Sequence, residues 1–399
     1  MSSSDATMSR RDSYDGPALF RDGFRPFFLA AGLWAAVAVP LWLLVFQGTL
    51  AVATAFDFAA WHAHEMIFGF AAAVIAGFLL TAVPNWTGRL PLRGLPLALL
   101  FATWLAGRFA VAGSAAVGAL PAAVVDLAFL VVLLAVALRE IIAGRNWRNL
   151  PLPLGLVLLV AANGLTHLQA VGWADVGPLG ERLGIAVVVL LIALIGGRII
   201  PSFTRNWLAK RGGTALPASF GGFDKLCLLA TLGALGAWVA VPEHPLAGAA
   251  LLIAGGLNGA RFLRWQGRQT LSEPLVWSLH LGFLWVPLGL LLLGFGVLRP
   301  GDLSPTAGLH ALTAGAIGAM TLAVMTRATL GHSGRALAAD RWTAAIYLAI
   351  FAAAALRVAA SLSDAAYLPL LHSAGLLWVV AFGLFVLRYG PLHLFRARP

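Results

Sequence analysis

Twelve stretches of about twenty mostly apolar residues follow one another along the chain, and each is long enough to cross the hydrocarbon of a bilayer as a helix. They lie near residues 27–46, 61–84, 94–112, 116–138, 150–172, 181–200, 221–241, 245–263, 275–297, 306–329, 342–361 and 368–388. A backbone inside lipid must satisfy its own hydrogen bonds, as a helix does. Polar, Pro or Gly signals separate the runs, as in Pro84-Asn85-Trp86-Thr87-Gly88 and Arg299-Pro300-Gly301-Asp302. The fold class is therefore all-α: a polytopic membrane protein built as a twelve-transmembrane-helix bundle. Of the 399 residues, 60% are hydrophobic and only 11% charged, against about 25% charged in a soluble domain. Twelve spans take up about 240 positions, so no separate soluble domain remains. The expected division is a tail over 1–26, one transmembrane domain over 27–388 and a tail over 389–399.

The basic residues orient this bundle. With the N-terminus in the cytoplasm, 22 of the 27 Lys and Arg fall on cytoplasmic segments, and only Arg182 and Arg299 fall outside. That bias places both termini in the cytoplasm. The net charge of +11 thus belongs to cytoplasmic loops and is no signal for nucleic acid. The first 26 residues hold four Arg and four Asp and read as a polar tail with a short interfacial helix near Phe20. They lack the net-basic start of a cleaved signal peptide.

A single cysteine, Cys227, excludes an intramolecular disulfide and any paired-cysteine metal site. Metals must rely on His, Met or carboxylates. No phosphate-binding loop, no Cys-His haem-attachment signature and no HExxH motif is present. Covalent haem is excluded and a b-type haem is permitted.

The nine histidines carry the chemistry, because ionisable groups in a membrane are costly and face a bundle interior. His62 and His64 open the second span, His167 lies near the outer end of the fifth, His310 opens the tenth, and His372 lies in the outer part of the twelfth. These five share one level on four helices. His280 lies inside the cytoplasmic end of the ninth span. His332 and His393 are cytoplasmic and His244 sits in an outer loop. Within Trp61-His62-Ala63-His64-Glu65-Met66, positions i and i+2 are about 200° apart on a helix, so the two imidazoles point to opposite sides. They serve two centres, or one is a ligand and the other its support; the plain alternative is a hydrated helix end. Small residues follow two of these histidines: Gly69 and Ala73 below His62, Ala314 and Gly318 below His310. They serve close helix packing or the approach of a flat porphyrin. Asn163 lies one turn below His167, as a polar support or an interhelical hydrogen bond.

Other polar groups fall within spans. Arg198 snorkels to the cytoplasmic end. Arg357 near the outer end either meets a haem propionate or pairs with Asp364. Asp126, deep in the fourth span, pairs with Arg108. Glu65 orients His64 or helps to deliver protons. No chain of acids crosses the bilayer, which argues against proton pumping. The ends of the second and sixth spans are weakly alike, Gly77 to Trp86 against Gly197 to Trp207, as repeats in transporters and other bundles often are.

Several segments together resemble the NnrS family of bacterial membrane proteins. They are Phe24-Arg25-Pro26-Phe27-Phe28, Trp61-His62-Ala63-His64-Glu65-Met66-Ile67-Phe68-Gly69-Phe70, Pro84-Asn85-Trp86-Thr87-Gly88, His310-Ala311-Leu312-Thr313-Ala314-Gly315-Ala316-Ile317-Gly318, Met325-Thr326-Arg327 and Gly331-His332-Ser333-Gly334-Arg335. The resemblance covers nearly the whole chain. It implies a twelve-span inner-membrane protein with haem b and copper, associated with denitrification and resistance to nitric oxide. His62, His64 and His310 lie inside the matching motifs; His280 and His332 fall in segments similar to the family's. His167 and His372 rest on depth alone.

The expected centre thus lies near the periplasmic side, with ligands from at least the second and tenth helices. His64, His310 and Arg357 are the candidates for haem, and His62, His64, His310, His167, His372 and His280 for metal. Nitric oxide is the expected ligand, and no motif names an electron donor. The leading function is the handling of nitric oxide, by binding, detoxification or protection, in denitrification or nitrosative stress. The alternatives are a redox enzyme converting nitric oxide and a transporter of a metal, haem or small anion. A transporter would place its ionisable groups at the midplane, away from the outer level where most histidines lie.

Overall fold

The computed structural model describes residues 14–395. Among them no strand occurs, and twelve helices are long and apolar enough to cross a membrane. They are α1 (Phe24–Phe46), α2 (Phe58–Thr87), α3 (Leu95–Ala112), α4 (Ala119–Ala143), α5 (Trp147–Val171), α6 (Leu179–Ala209), α7 (Gly222–Ala240), α8 (Pro245–Leu263), α9 (Pro274–Leu298), α10 (Pro305–His332), α11 (Arg341–Ala360) and α12 (Tyr367–Leu394). The chain is a multi-pass helical membrane protein. Of the expected polar tail, residues 1–13 lie outside the described residues, and the helix near Phe20 is a single 3-10 turn, Ala18–Phe20.

Most ends fall within a few residues of the hydrophobic runs. Two helices run further, through a proline of the kind membrane helices tolerate when neighbouring groups satisfy the freed backbone. α6 continues through Pro201 to Ala209, and α12 passes Pro391 to reach Leu394. The buried Arg25 at the start of α1 closes the end of α12. Its Nη1 donates to the carbonyls of Leu392 at 2.8 Å, His393 at 3.3 Å and Phe395 at 3.3 Å. These are carbonyls that a helix C-terminus otherwise leaves unsatisfied.

The chain divides into two compact units. Among the described residues, one takes in 14–38, Leu44–Glu181 and 389–395. The other takes in Val39–Leu43 and Arg182–Arg388. In the first unit, Gly107 of α3 presses against Asp126 of α4; a Cβ there would come within 2.7 Å of the carboxylate and 3.1 Å of its Cα. Gly77 likewise admits the ring of Phe28. In the second unit, Gly248 and Gly294 meet backbone to backbone between α8 and α9. The fully buried Arg261 of α8 donates from Nε to Asp224 Oδ1 of α7 at 2.9 Å and from Nη1 to the Ala193 carbonyl of α6 at 2.9 Å. Gly197 of α6 makes room for its guanidinium.

Each unit contains one helix with a wide turn. α2 is a short α-helix to His64, a π-helical stretch over Glu65–Ala71, and an α-helix again to Thr87. α10 repeats the order: α-helix to His310, π-helix over Ala311–Gly318, then α-helix to His332. Each then meets a left-handed glycine, Gly88 at φ 69° and Gly334 at φ 67°. The same number of residues separates histidine from glycine in both. This likeness of the second and tenth spans is closer than the one the sequence offers between the second and sixth.

Candidate metal centre

The centre is built from α2, α3, α4 and α5 of the first unit. Asp57 starts α2 by accepting the amides of Ala59 at 2.9 Å and Ala60 at 2.8 Å, the usual service of an N-cap acid. The π turn begins directly after His64, and both His64 and Glu65 are buried although adjacent in sequence. π turns inside α-helices are frequent at functional sites. Close packing at Gly107 sets the next residue, Arg108, beside Asp126. One turn of α5 carries Asn163 and His167.

These six side chains form one network, and none is more than 3% exposed. Asp126 Oδ2 is its hub. His64 Nε2 lies 3.1 Å from it, His167 Nε2 3.0 Å, and Asn163 Nδ2 donates to it at 2.8 Å. Asn163 Oδ1 is 3.0 Å from His64 Nε2. On the far side of the imidazole, His64 Nδ1 meets Glu65 Oε1 at 3.0 Å. Arg108 joins both acids, donating from Nη1 to Glu65 Oε2 at 2.7 Å and from Nη2 to Asp126 Oδ1. Aromatic rings close the walls: Phe56 sits 5.0 Å from the His64 ring and 5.3 Å from His167, and Phe68 is 5.2 Å from His64.

Burying a charge costs several kcal/mol unless it is paired. Here one guanidinium faces two carboxylates, and the second acid is balanced by a proton or another cation at His64 Nε2, which faces Asp126. His64, Asp126 and His167 each offer a ligand atom, and these atoms all lie within 4.8 Å of one another. Two imidazole nitrogens and a carboxylate oxygen form a donor set for a transition metal. The triad could hold a metal ion.

The structure brings some expected residues together and places others elsewhere. His64 and His167 converge, Asp126 pairs with Arg108, and Glu65 supports His64. His62 is half-buried. His310 is half-buried in the second unit, its Nδ1 2.9 Å from the Thr306 carbonyl. His280 is buried with Nε2 2.8 Å from Thr204 Oγ1. His372, His332 and His244 are exposed, and His393 is buried near Phe24. Arg357 donates to Ser361 Oγ at 3.0 Å, the neighbour one turn on, instead of pairing with Asp364. The small residues are used for packing. Gly69 accommodates the Arg108 guanidinium and the Trp34 indole, Gly315 accommodates Trp285, and Gly318 accommodates Trp378. The role that sequence reasoning missed is that of Asp126, taken there only as a partner for Arg108. The available signal was one acid alone in an apolar span, at a depth reachable from two histidines.

A family model described as NnrS protein matches residues 18–398. No curated protein matches the chain.

Proposed function

Because the chain belongs to the NnrS family, we propose that it is a bacterial inner-membrane protein that handles nitric oxide through a copper centre held by His64, Asp126 and His167. The observation that carries this reading is the convergence of both Nε2 atoms on Asp126 Oδ2, at 3.1 and 3.0 Å, inside a buried cluster. Copper accepts nitrogen and oxygen donors and binds well at imidazoles. Bound here it would supply a one-electron redox centre with affinity for nitric oxide. The chain's own residues do the rest. Glu65 fixes the His64 ring through Nδ1, as carboxylates behind metal-bound imidazoles do. Asn163 holds Asp126, and Phe56 and Phe68 exclude water. A small neutral gas needs no polar channel to reach such a site.

Haem does not fit at His64, whose side chain is wholly buried with Phe56 and Phe68 packed on the ring where a porphyrin would lie. His310 fits better. A carbonyl can only accept, so Nδ1 carries the proton that goes to Thr306 and Nε2 keeps the lone pair, the arrangement a ligating imidazole needs. Ala307 and Ala311 of α10 pack on Val358 of α11, which brings Arg357 to the same end of the second unit as His310. We assign haem b to His310, with Arg357 for a propionate.

Binding or protection is favoured over turnover. The centre's carboxylates, Glu65 and Asp126, are both held by Arg108. The next acid along α4, Glu140, is likewise held, by Arg89 and Arg139, so the carboxylates of α2 and α4 are occupied by arginine.

The test is the metal content and optical spectrum of purified protein, wild type beside His167→Ala and His310→Ala. The reading expects copper lost with His167→Ala and haem lost with His310→Ala, each without the other, and a spectral change on adding nitric oxide. Protein that stays colourless and metal-free after growth with haem and copper would sink it. Sustained consumption of nitric oxide with an electron donor would replace binding by catalysis.

A further inference from the structure

We propose that Arg108 sets the charge of the ion this centre accepts and makes it selective for a monovalent cation. The inference rests on the metal-centre reading above and concerns residues outside the ligand triad. Glu65 and Asp126 contribute two negative charges and Arg108 one positive charge, all at most 2% exposed. The guanidinium is bonded to both acids at once, and Trp34 and Trp104 pack around Gly69 and fix the space in which it lies. It has no exit to water. A monovalent ion on His64, Asp126 and His167 brings the cluster to neutrality. A divalent ion leaves one positive charge in a low-dielectric interior, where uncompensated charge is expensive. The cuprous state is therefore favoured over the cupric state, and over zinc, by charge alone. Arg108 is a positioning residue in this scheme: it touches the ligand Asp126 and the support Glu65, not the ion.

Silver(I) and zinc(II), added as simple salts to purified full-length protein, report charge preference without redox chemistry. The readout is the ratio of bound silver to bound zinc at equal supply. Wild type is expected to retain silver over zinc. Arg108→Gln removes a positive charge and lowers the ratio by about a hundredfold, as one unit charge a few ångströms away at an effective dielectric near 20 implies. Glu65→Gln removes a negative charge and raises the ratio by a similar factor. Arg108→Lys keeps the charge and keeps the ratio. The opposite directions of two neutralising changes separate charge from damage to the site, and Glu65→Gln with Arg108→Lys carries the test where Arg108→Gln fails to fold. A ratio unmoved by these variants, or moved the same way by both neutralising ones, overturns the inference while leaving the metal centre. A wild type that prefers zinc does the same. A wild type that binds neither ion removes the metal centre itself, and the inference with it.

Discussion

Gly107 and Asp126 touch across the α3–α4 interface so closely that a methyl group on Gly107 would come within 2.7 Å of Asp126 Oδ1 and 3.1 Å of its Cα. The contact is partly to backbone, so a side-chain shift alone does not relieve it. Gly107→Ala should force the two helices apart at the point where Arg108 and Asp126 meet. Overpacking of this kind costs about 1–3 kcal/mol. The expected result is a lower melting temperature in detergent together with reduced metal content per folded molecule.

Asn163 is no ligand in this arrangement, yet its Nδ2 donates to the same Asp126 oxygen that both imidazoles face, and its Oδ1 meets His64 Nε2. Removing a group that orients a metal ligand typically costs 10–100-fold in affinity. Asn163→Ala should weaken metal binding by about that factor and leave helix content unchanged. Equilibrium metal titration of the variant checks it; unchanged affinity would show that Asp126 holds its position unaided.

The twelve spans were legible because one physical requirement, about twenty apolar residues per crossing, overrides every local preference. Their ends were legible where polar, Pro or Gly signals separated the runs, and misread at Pro201 and Pro391, where proline lies inside a helix. The π turns after His64 and His310 were not legible. They shift the register of everything beyond them, so small residues placed on the His62 face by ordinary helical spacing turn out to seat Arg108, Trp34 and other side chains. Pairing across helices was half legible. Asp126 with Arg108 follows from the cost of lone buried charges. Its second role, between His64 and His167, depends on how α4 and α5 pack, which no pattern within one span encodes.

The start of α11 offers a pH test outside the membrane-spanning segments. Asp340 caps this helix, accepting Thr343 N at 2.8 Å and Thr343 Oγ1 at 2.7 Å, while Arg388 Nε donates to its other oxygen at 2.6 Å. Partial burial pushes its pKa up, but the Thr343 bonds and Arg388 outweigh that and bring it from 3.8 down to about 2. A depressed folded pKa means the stabilisation is full above 3.8 and is lost as pH falls toward about 2. Asp340→Ala should cost about 1 kcal/mol at neutral pH, as loss of an N-cap does. The gap in melting temperature between variant and wild type should narrow over that acid window. A gap that stays constant to the bottom of the window would deny the carboxylate its part.

Arg261 lets the second unit be weakened apart from the centre in the first. Its side chain is fully buried and joins α8 to Asp224 of α7 and to the Ala193 carbonyl of α6. Arg261→Ala leaves the Asp224 carboxylate, itself 3% exposed, without its closest cation. Breaking a buried pair from one side costs about 3–5 kcal/mol. Both partners belong to the second unit, whereas the residues around Asp126 belong to the first. The variant should therefore melt well below wild type yet hold the same metal per folded molecule at low temperature. The complementary change, Arg261→Ala with Asp224→Asn, removes both charges and should recover part of the lost stability, because the uncompensated acid rather than the missing arginine carries most of the penalty. Thermal melts of the three proteins, read beside their metal content, decide it: a double variant no more stable than Arg261→Ala would place the cost in lost packing around Gly197 instead.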